Sequence, residues 1–210
     1  RVIPELPTIY DEPFADSSQI PTYLVSKMAR EHVTVALSGD GGDELFGGYD
    51  RYQQINRLER LRNSLPASSR RALGAVFQRL PVELWDRMGK GLPKFVLPPG
   101  LRHRTGYRMH KVGGLLAADG GSDLYASLMS IENQGDSLVL GAEGDQLEFV
   151  GVPNVQQWDV SPFERAMLID TLTYLPGDLL TKVDRASMAV SLEVRVPFLD
   201  PDLFQFAWSL

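Results

Sequence analysis

Val33-Thr34-Val35-Ala36-Leu37 is β-branched and apolar at successive positions rather than alternate ones. That pattern predicts a strand buried on both faces and paired in parallel. Upstream, a helix is predicted from about Pro21 to Glu31. Asp16-Ser17-Ser18 offer its N-caps, and Pro21 is tolerated in its first turn. Downstream, the strand runs straight into Ser38-Gly39-Asp40-Gly41-Gly42-Asp43-Glu44 and then Leu45-Phe46-Gly47-Gly48-Tyr49. A strand, a glycine-rich turn and a helix start is the arrangement that places ligands at the carboxyl edge of a parallel sheet.

The middle of the chain reads as short helices broken by proline, around Arg51–Arg62, Ser69–Leu80 and Val82–Met88. A looser stretch is expected over Gly89–Gly121, with Pro93, Pro98, Pro99 and two Gly-Gly pairs. Asp123–Glu132 reads as a helix with an aspartate cap, and 135–160 as loop or a small insertion. Ser161-Pro162-Phe163-Glu164 combines an N-cap, a proline at the first helical position and an acidic first turn. The helix it opens is expected to end near Leu175, before Pro176-Gly177. A second helix, capped by Asp178, follows to Ser191, and a third starts at Pro201. The fold class expected is α/β, with a parallel sheet and a large helical portion.

Composition narrows the class. The 210 residues are 43% apolar and 23% charged, close to the globular average, which excludes a disordered, collagenous or coiled-coil protein. No cysteine is present, so these residues hold no disulfide framework, thiolate zinc site or cysteine nucleophile. That suits a reducing compartment, and a cytoplasmic location is expected. No apolar run approaches the roughly 18 residues of a membrane span, and no secretory signal opens the chain. With no initiator Met and an apolar last stretch without a cap, the chain reads as a fragment.

The net charge of −6 conceals a division: −6 in residues 1–50, +11 in 51–111 and −11 in 112–210. A basic block invites a nucleic-acid reading. It holds few aromatics and no RNA- or DNA-reading motif, so a solvated helical face, or pairing with the acidic thirds, is favoured.

Three segments carry chemistry. In Ser38–Gly48 the glycines Gly39, Gly41 and Gly42 permit positive φ and a close approach to a ligand. Successive N–H groups at a helix start make an anion-binding concavity. No Lys-Ser/Thr follows the glycines, so this is not a Walker loop. Asp40, Asp43 and Glu44 crowd the turn instead, and carboxylates beside phosphates require a divalent cation between them. Capping of the helix by Asp43 is the plain structural alternative. In the second segment, Leu179, Val183 and Ala186 define an apolar face, with Lys182 and Arg185 on an adjacent stripe and Asp178 one turn before Lys182. An exposed Asp178–Lys182 pair is the structural reading. A lysine at a phosphate, which offsets the charge of departing pyrophosphate, is the functional one. In the third, Glu193 and Arg195 before Pro197 read as a clamp anchoring the preceding helix. His32, His103 and His110 lack metal-ligand spacing and read as surface or cap residues.

Together these segments resemble the synthetase domain of the glutamine-hydrolysing asparagine synthetases. The matching stretches are Tyr10-Asp11-Glu12-Pro13-Phe14-Ala15-Asp16-Ser17-Ser18, the loop from Ser38 to Tyr49, Leu180-Thr181-Lys182-Val183-Asp184-Arg185-Ala186-Ser187-Met188, and Glu193 to Asp200. The resemblance implies an adenine nucleotide alpha-hydrolase-like domain that uses ATP and Mg2+ to convert aspartate to β-aspartyl-AMP and pyrophosphate. Ammonia from a glutaminase domain of the same polypeptide then attacks the adenylate. It further implies that Ser38, Gly39 and Gly41 contact nucleotide and that Asp40 is the loop carboxylate, often Glu in the family, needed for adenylation. Asp43 corresponds to the Mg2+/pyrophosphate aspartate and Lys182 to the pyrophosphate-binding lysine. The family's Ser-Gly-Gly-x-Asp-Ser loop and the glutaminase cysteine are not among these residues, so the fragment alone is expected to be inactive. The resemblance is compatible with a homodimer. A related amidotransferase or β-lactam-forming synthetase that adenylates another acid is the nearest alternative. A non-catalytic nucleic-acid module using 51–111 is the alternative of a different class.

Overall fold

The computed structural model describes residues 2–91, 105–117 and 158–210, together with Tyr125 and Met129. Nearly all of Asp123–Glu132, most of 135–160 and His103 lie outside the described residues. The described residues fall into two compact units, one built from 2–50 and 164–210 and the other from 51–91, 105–117 and 158–163.

In the first unit a 3-10 turn (Ile3–Glu5) leads into α1 (Leu6–Tyr10), which stops where Asp11 turns left-handed at φ 59°. The helix α2 (Gln19–Arg30), the strand β1 (Val35–Leu37) and the short helix α3 (Gly42–Phe46) follow. Val2, Tyr23 and Ala186 form a buried cluster against which Leu6, Ile9, Ile20 and Val190 pack. Ser18 occupies the N-cap position of α2, but its side chain makes no bond to the helix start; its hydroxyl donates to Asp16 instead.

The helices of the second unit are α4 (Asp50–Asn63, whose first residue belongs to the first unit), α5 (Ala67–Arg79), α6 (Val82–Gly91) and α7 (Thr105–Ala117). The first three lie where the sequence places them, within a few residues. The fourth overturns the expectation of a loose stretch across Gly89–Gly121, and close packing explains it. A Cβ on Gly113 would stand 2.9 Å from Phe77 Cβ and 3.0 Å from the Gly74 carbonyl oxygen, so the glycines let α7 lie tightly on α5. Helix contact outweighs the intrinsic cost of glycine, about 1 kcal/mol per residue. His110 Nε2 lies 2.7 Å from the Leu80 carbonyl oxygen, the end-of-helix role expected of it.

Gly106 sits where α6 meets α7: its N–H donates to Asp86 Oδ1 at 2.8 Å, and a Cβ would fall 2.3 Å from the Val82 carbonyl oxygen. Gly106→Ala is therefore expected to cost about 1–3 kcal/mol through overpacking. Chemical denaturation of this chain measures it, and an unchanged midpoint would show that the two helices do not meet there.

After α8 (Pro162–Leu172) the chain passes into a π-helical segment (Leu175–Leu180) and then α9 (Thr181–Met188), which packs against α2. Pro176-Gly177 was expected to break the helix. Pro176 instead lies in the first turn of the π segment, where its missing N–H costs no bond, and the Gly177 N–H reaches the Thr173 carbonyl at 2.9 Å. Asp178 consequently lies inside the segment and does not cap a helix. The strand β2 (Glu193–Arg195), a 3-10 turn (Pro197–Leu199) and α10 (Pro201–Ala207) close the chain. Asp200 caps α10 through Oδ1, which accepts from the N–H groups of Asp202 and Leu203.

β1 and β2 pair in parallel, with Val35 opposite Glu193, Ala36 opposite Val194 and Leu37 opposite Arg195. The parallel pairing agrees with the apolar run. Burial on both faces does not: Leu37 is 74% exposed, and Val33 and Val35 are exposed too. Among the described residues the sheet has two strands, and no described layer covers the face carrying Val35 and Leu37. The architecture is thus mostly helical with a small parallel sheet, consistent with an α/β fold. No helix among the described residues is long and apolar enough to cross a membrane.

Candidate functional site

The sheet register sets the start of the glycine-rich loop. The Ser38 N–H donates to the Arg195 carbonyl at 2.9 Å, so the loop departs from the carboxyl end of a parallel strand. Ser38 Oγ donates to Asp40 Oδ2, and the Asp40 N–H donates back to Ser38 Oγ at 3.3 Å. This closed turn holds the Asp40 carboxylate against the strand end. Of the three glycines that permit positive φ, Gly41 uses it. Gly41 lies at φ 86°, where a Cβ would come within 3.1 Å of Leu199 Cδ2. Gly39 has a conventional φ and open space where its Cβ would be, which leaves room for a ligand.

Gly41 is also the N-cap of α3, so Asp43 does not cap the helix; it lies in the first turn. Its carboxylate is exposed and folds over the glycine pair that ends the helix. A Cβ on Gly48 would lie 2.0 Å from Asp43 Oδ1. Glu44, beside it, points inward and is 1% exposed. Its Oε1 accepts from the Tyr49 hydroxyl at 2.9 Å, and its Oε2 is buried with no hydrogen-bond partner among the described residues. Burial, seconded by the charges of Asp170 and Asp43, holds the Glu44 carboxyl above the usual range despite the Tyr49 bond. Burial and the Glu44 bond likewise push the Tyr49 phenol up.

Lys182 is buried on the same side of α9 as Ala186 and Ser187, whereas Arg185 is exposed and pairs with its neighbour Asp184. The expected common stripe for the two cations is thus corrected. So is the expected partner: Lys182 Nζ lies 2.7 Å from Asp16 Oδ2, not in a surface pair with Asp178. Burial pushes the Asp16 carboxyl up, but hydrogen bonds from Lys182 and Ser18 outweigh it, and the net shift is downward. The pair's stabilisation is accordingly present above the ordinary carboxylate pKa and is lost as pH falls through the lowered value. Asp178 is shifted up by burial and by the Asp16 charge, against the opposing effects of Lys182 and a hydrogen bond from Tyr174. The Tyr174 ring packs edge-on against Tyr49 at 6.2 Å.

Contacts therefore run from Asp178 through Tyr174 and Tyr49 to Glu44, beside Asp43 in the first turn of α3, and Lys182 acts on Asp178 through its charge. Ser38 and Asp40 are in direct contact. Glu193 and Arg195 do pair, at 2.7 Å, but both side chains are more than half exposed, so the pair does not anchor the preceding helix. Sequence reasoning missed Asp16, Tyr174 and Asp170 as members of the site. The first lies in a stretch it had singled out, Tyr10 to Ser18. Among the described residues no group of three or more His, Asp or Glu side chains is arranged to hold a metal ion.

Comparison with known proteins gives this geometry a context. The family model described as asparagine synthase matches residues 1–210. A Mycobacterium tuberculosis protein, provisionally named a glutamine-hydrolysing asparagine synthetase, is 36% identical over 209 residues, covering 99% of this chain and 29% of that protein. Glutamine-hydrolysing asparagine synthetase 1 of Bacillus subtilis is 34% identical over 218 residues, covering 97% of this chain and 29% of the relative. A Methanocaldococcus jannaschii protein with the same provisional naming is 53% identical over a shorter stretch of 75 residues, 36% of this chain and 14% of that protein. The chain thus spans about 29% of the length of the curated relatives that it matches from end to end. No solved structure matches. The match of the family model across all 210 residues shows that the chain belongs to the asparagine synthase family.

Proposed function

We propose that this chain is the ATP-using portion of an enzyme that amidates aspartate to asparagine with nitrogen from glutamine. Residues 1–210 are then one partial synthetase domain of the nucleotide alpha-hydrolase type, with the glutaminase domain and the Ser-Gly-Gly-x-Asp-Ser loop elsewhere in the parent polypeptide. A cytoplasmic location and a homodimeric assembly are compatible with this reading. In the activation step an oxygen of the aspartate side-chain carboxylate bonds to the α-phosphorus of ATP. The bond to the β-phosphate breaks and pyrophosphate leaves. Ammonia nitrogen then bonds to the acyl carbon, AMP departs with the bonding pair, and the nitrogen gives up its surplus proton.

The observation that carries the reading is the loop Ser38–Tyr49 at the carboxyl end of β1, with a buried, paired lysine in the same compact unit. Ser38, Gly39 and Gly41 are proposed to contact the nucleotide, with Gly39 leaving the approach open. Asp40, fixed by Ser38, is proposed as the loop carboxylate needed for adenylation. Lys182 offsets the charge that develops on pyrophosphate. The exposed Asp43 carboxylate in the first turn of α3 fits a hard cation. Mg2+ needs only one or two protein carboxylates when phosphate oxygens complete its shell. When bound, it would neutralise phosphate charge beside Asp43.

The test uses the full-length protein with ATP, glutamine and a panel of carboxylic acids, following pyrophosphate and amide product. Aspartate is expected to exceed every other acid by at least about 100-fold in kcat/KM, the discrimination that a site built for a polar substrate provides. A preference for another acid would replace asparagine synthesis with a related adenylating amidation.

A further inference from the structure

We infer that Asp16 is a positioning residue for the reaction, holding the Lys182 ammonium in the place from which it meets the leaving phosphate. This rests on the role proposed for Lys182. Lysine is a compact charge on a flexible four-carbon stem, and its aim has to be supplied by its surroundings. Burial of the ammonium also demands a paired, hydrogen-bonded partner. Asp16 meets both needs. Its Oδ2 accepts from Lys182 Nζ at 2.7 Å and from Ser18 Oγ at 2.6 Å, while its Oδ1 accepts from the Ser18 N–H at 2.8 Å. Two donors from Ser18 thus hold the carboxylate that meets the lysine.

The loop that carries Asp16 is itself built in place. It begins at the left-handed Asp11, Phe14 stacks on Tyr10 at 4.9 Å, and Gln19 Nε2 donates to the Phe14 carbonyl at 3.0 Å. The Tyr10 hydroxyl donates to the Lys182 carbonyl at 3.3 Å, so the loop grips the lysine's backbone as well as its ammonium. An ammonium has three donors, and Asp16 uses one, leaving others for phosphate oxygens. Asp178 acts on Lys182 through its charge, whereas Asp16 meets the ammonium directly.

The experiment compares Asp16→Asn, Asp16→Glu, Ser18→Ala, Asp11→Asn and Lys182→Ala in the full-length enzyme, by steady-state pyrophosphate release with ATP and aspartate each varied. Asp16→Asn is expected to lower kcat by about 10- to 100-fold, the scale of a misplacement near 1 Å. The KM values should move less than about threefold. Asp16→Glu should recover most of the loss, because it restores the charge. Ser18→Ala keeps both charges and removes one support from Asp16, so a smaller fall in kcat is expected even if Asp16→Asn does not fold. Asp11→Asn, on the same loop but exposed, should keep the wild-type rate. Wild-type kcat in both Asp16→Asn and Ser18→Ala, beside an inactive Lys182→Ala, overturns the inference and leaves the role of Lys182 standing. Wild-type kcat in Lys182→Ala overturns that role itself. A fall in melting temperature for Asp16→Asn with kcat unchanged marks a merely structural residue and also overturns the inference.

Discussion

Alanine at position 182 is expected to lower aspartate-dependent pyrophosphate release by the full-length enzyme by about 100- to 1,000-fold at saturating substrates. That is the scale on which removal of one preorganised electrostatic group acts. The structural grounds are the burial of Lys182, with its side chain 10% exposed, and its fixed partner, both of which prepare a charge before the reaction needs it. Water screens such a charge poorly. Arginine is not expected to rescue the variant, because a planar fork cannot replace a compact ammonium between Asp16 and a phosphate. Quenched-flow measurement of the first turnover separates pyrophosphate formation from product release. A first turnover at the wild-type rate would remove Lys182 from the chemistry.

Asp43→Ala is expected to lower the same rate by about 100-fold or more and to raise the Mg2+ concentration for half-maximal rate at least about tenfold. Loss of a hard oxygen ligand from a shell with few protein ligands has this consequence. Gly48→Ala supplies an independent arm that leaves the carboxylate in the sequence. Its Cβ would fall 2.0 Å from Asp43 Oδ1 and 3.2 Å from Asp43 Cα, so the carboxylate must leave its position. A shift in Mg2+ dependence in the same direction is therefore expected from Gly48→Ala. Magnesium titration of both variants decides the matter: unchanged half-saturation in both would take Asp43 out of the cation site.

Much of this was legible because the decisive signals are local. The β-branched and apolar residues at 33–37, followed by three glycines, announce a strand running into a turn and a helix start, and the structure has that strand in a parallel pair with α3 after the turn. Helices α4 to α6 are written in proline and polar breaks at their ends. What was not legible depends on residues far apart. Asp16 and Lys182 are 166 positions apart, and nothing in the period of either helix brings them together. Asp178, four residues before Lys182, was the local candidate and lost to a partner held ready by its own loop. The glycines of α7 read as loop because their local preference is loop. Only the closeness of Phe77 and Gly74 to Gly113 makes them helical. The exposed Leu37 shows the converse: an apolar run tells that a strand wants covering, not which residues do it.

The π-helical segment Leu175–Leu180 carries a consequence for how this family can tolerate length changes. Such a segment is an α-helix with extra residue taken up in its winding. Deleting one residue between Tyr174 and Thr181 would remove that surplus and let the chain relax to regular α-helix, leaving the turns on either side near their present facing. The same deletion within α8, whose regular winding holds no surplus, would turn everything beyond it by about 100° about the axis and carry Lys182 off the side facing Asp16. The π segment is thus a place where a missing codon can be absorbed with the lysine still aimed.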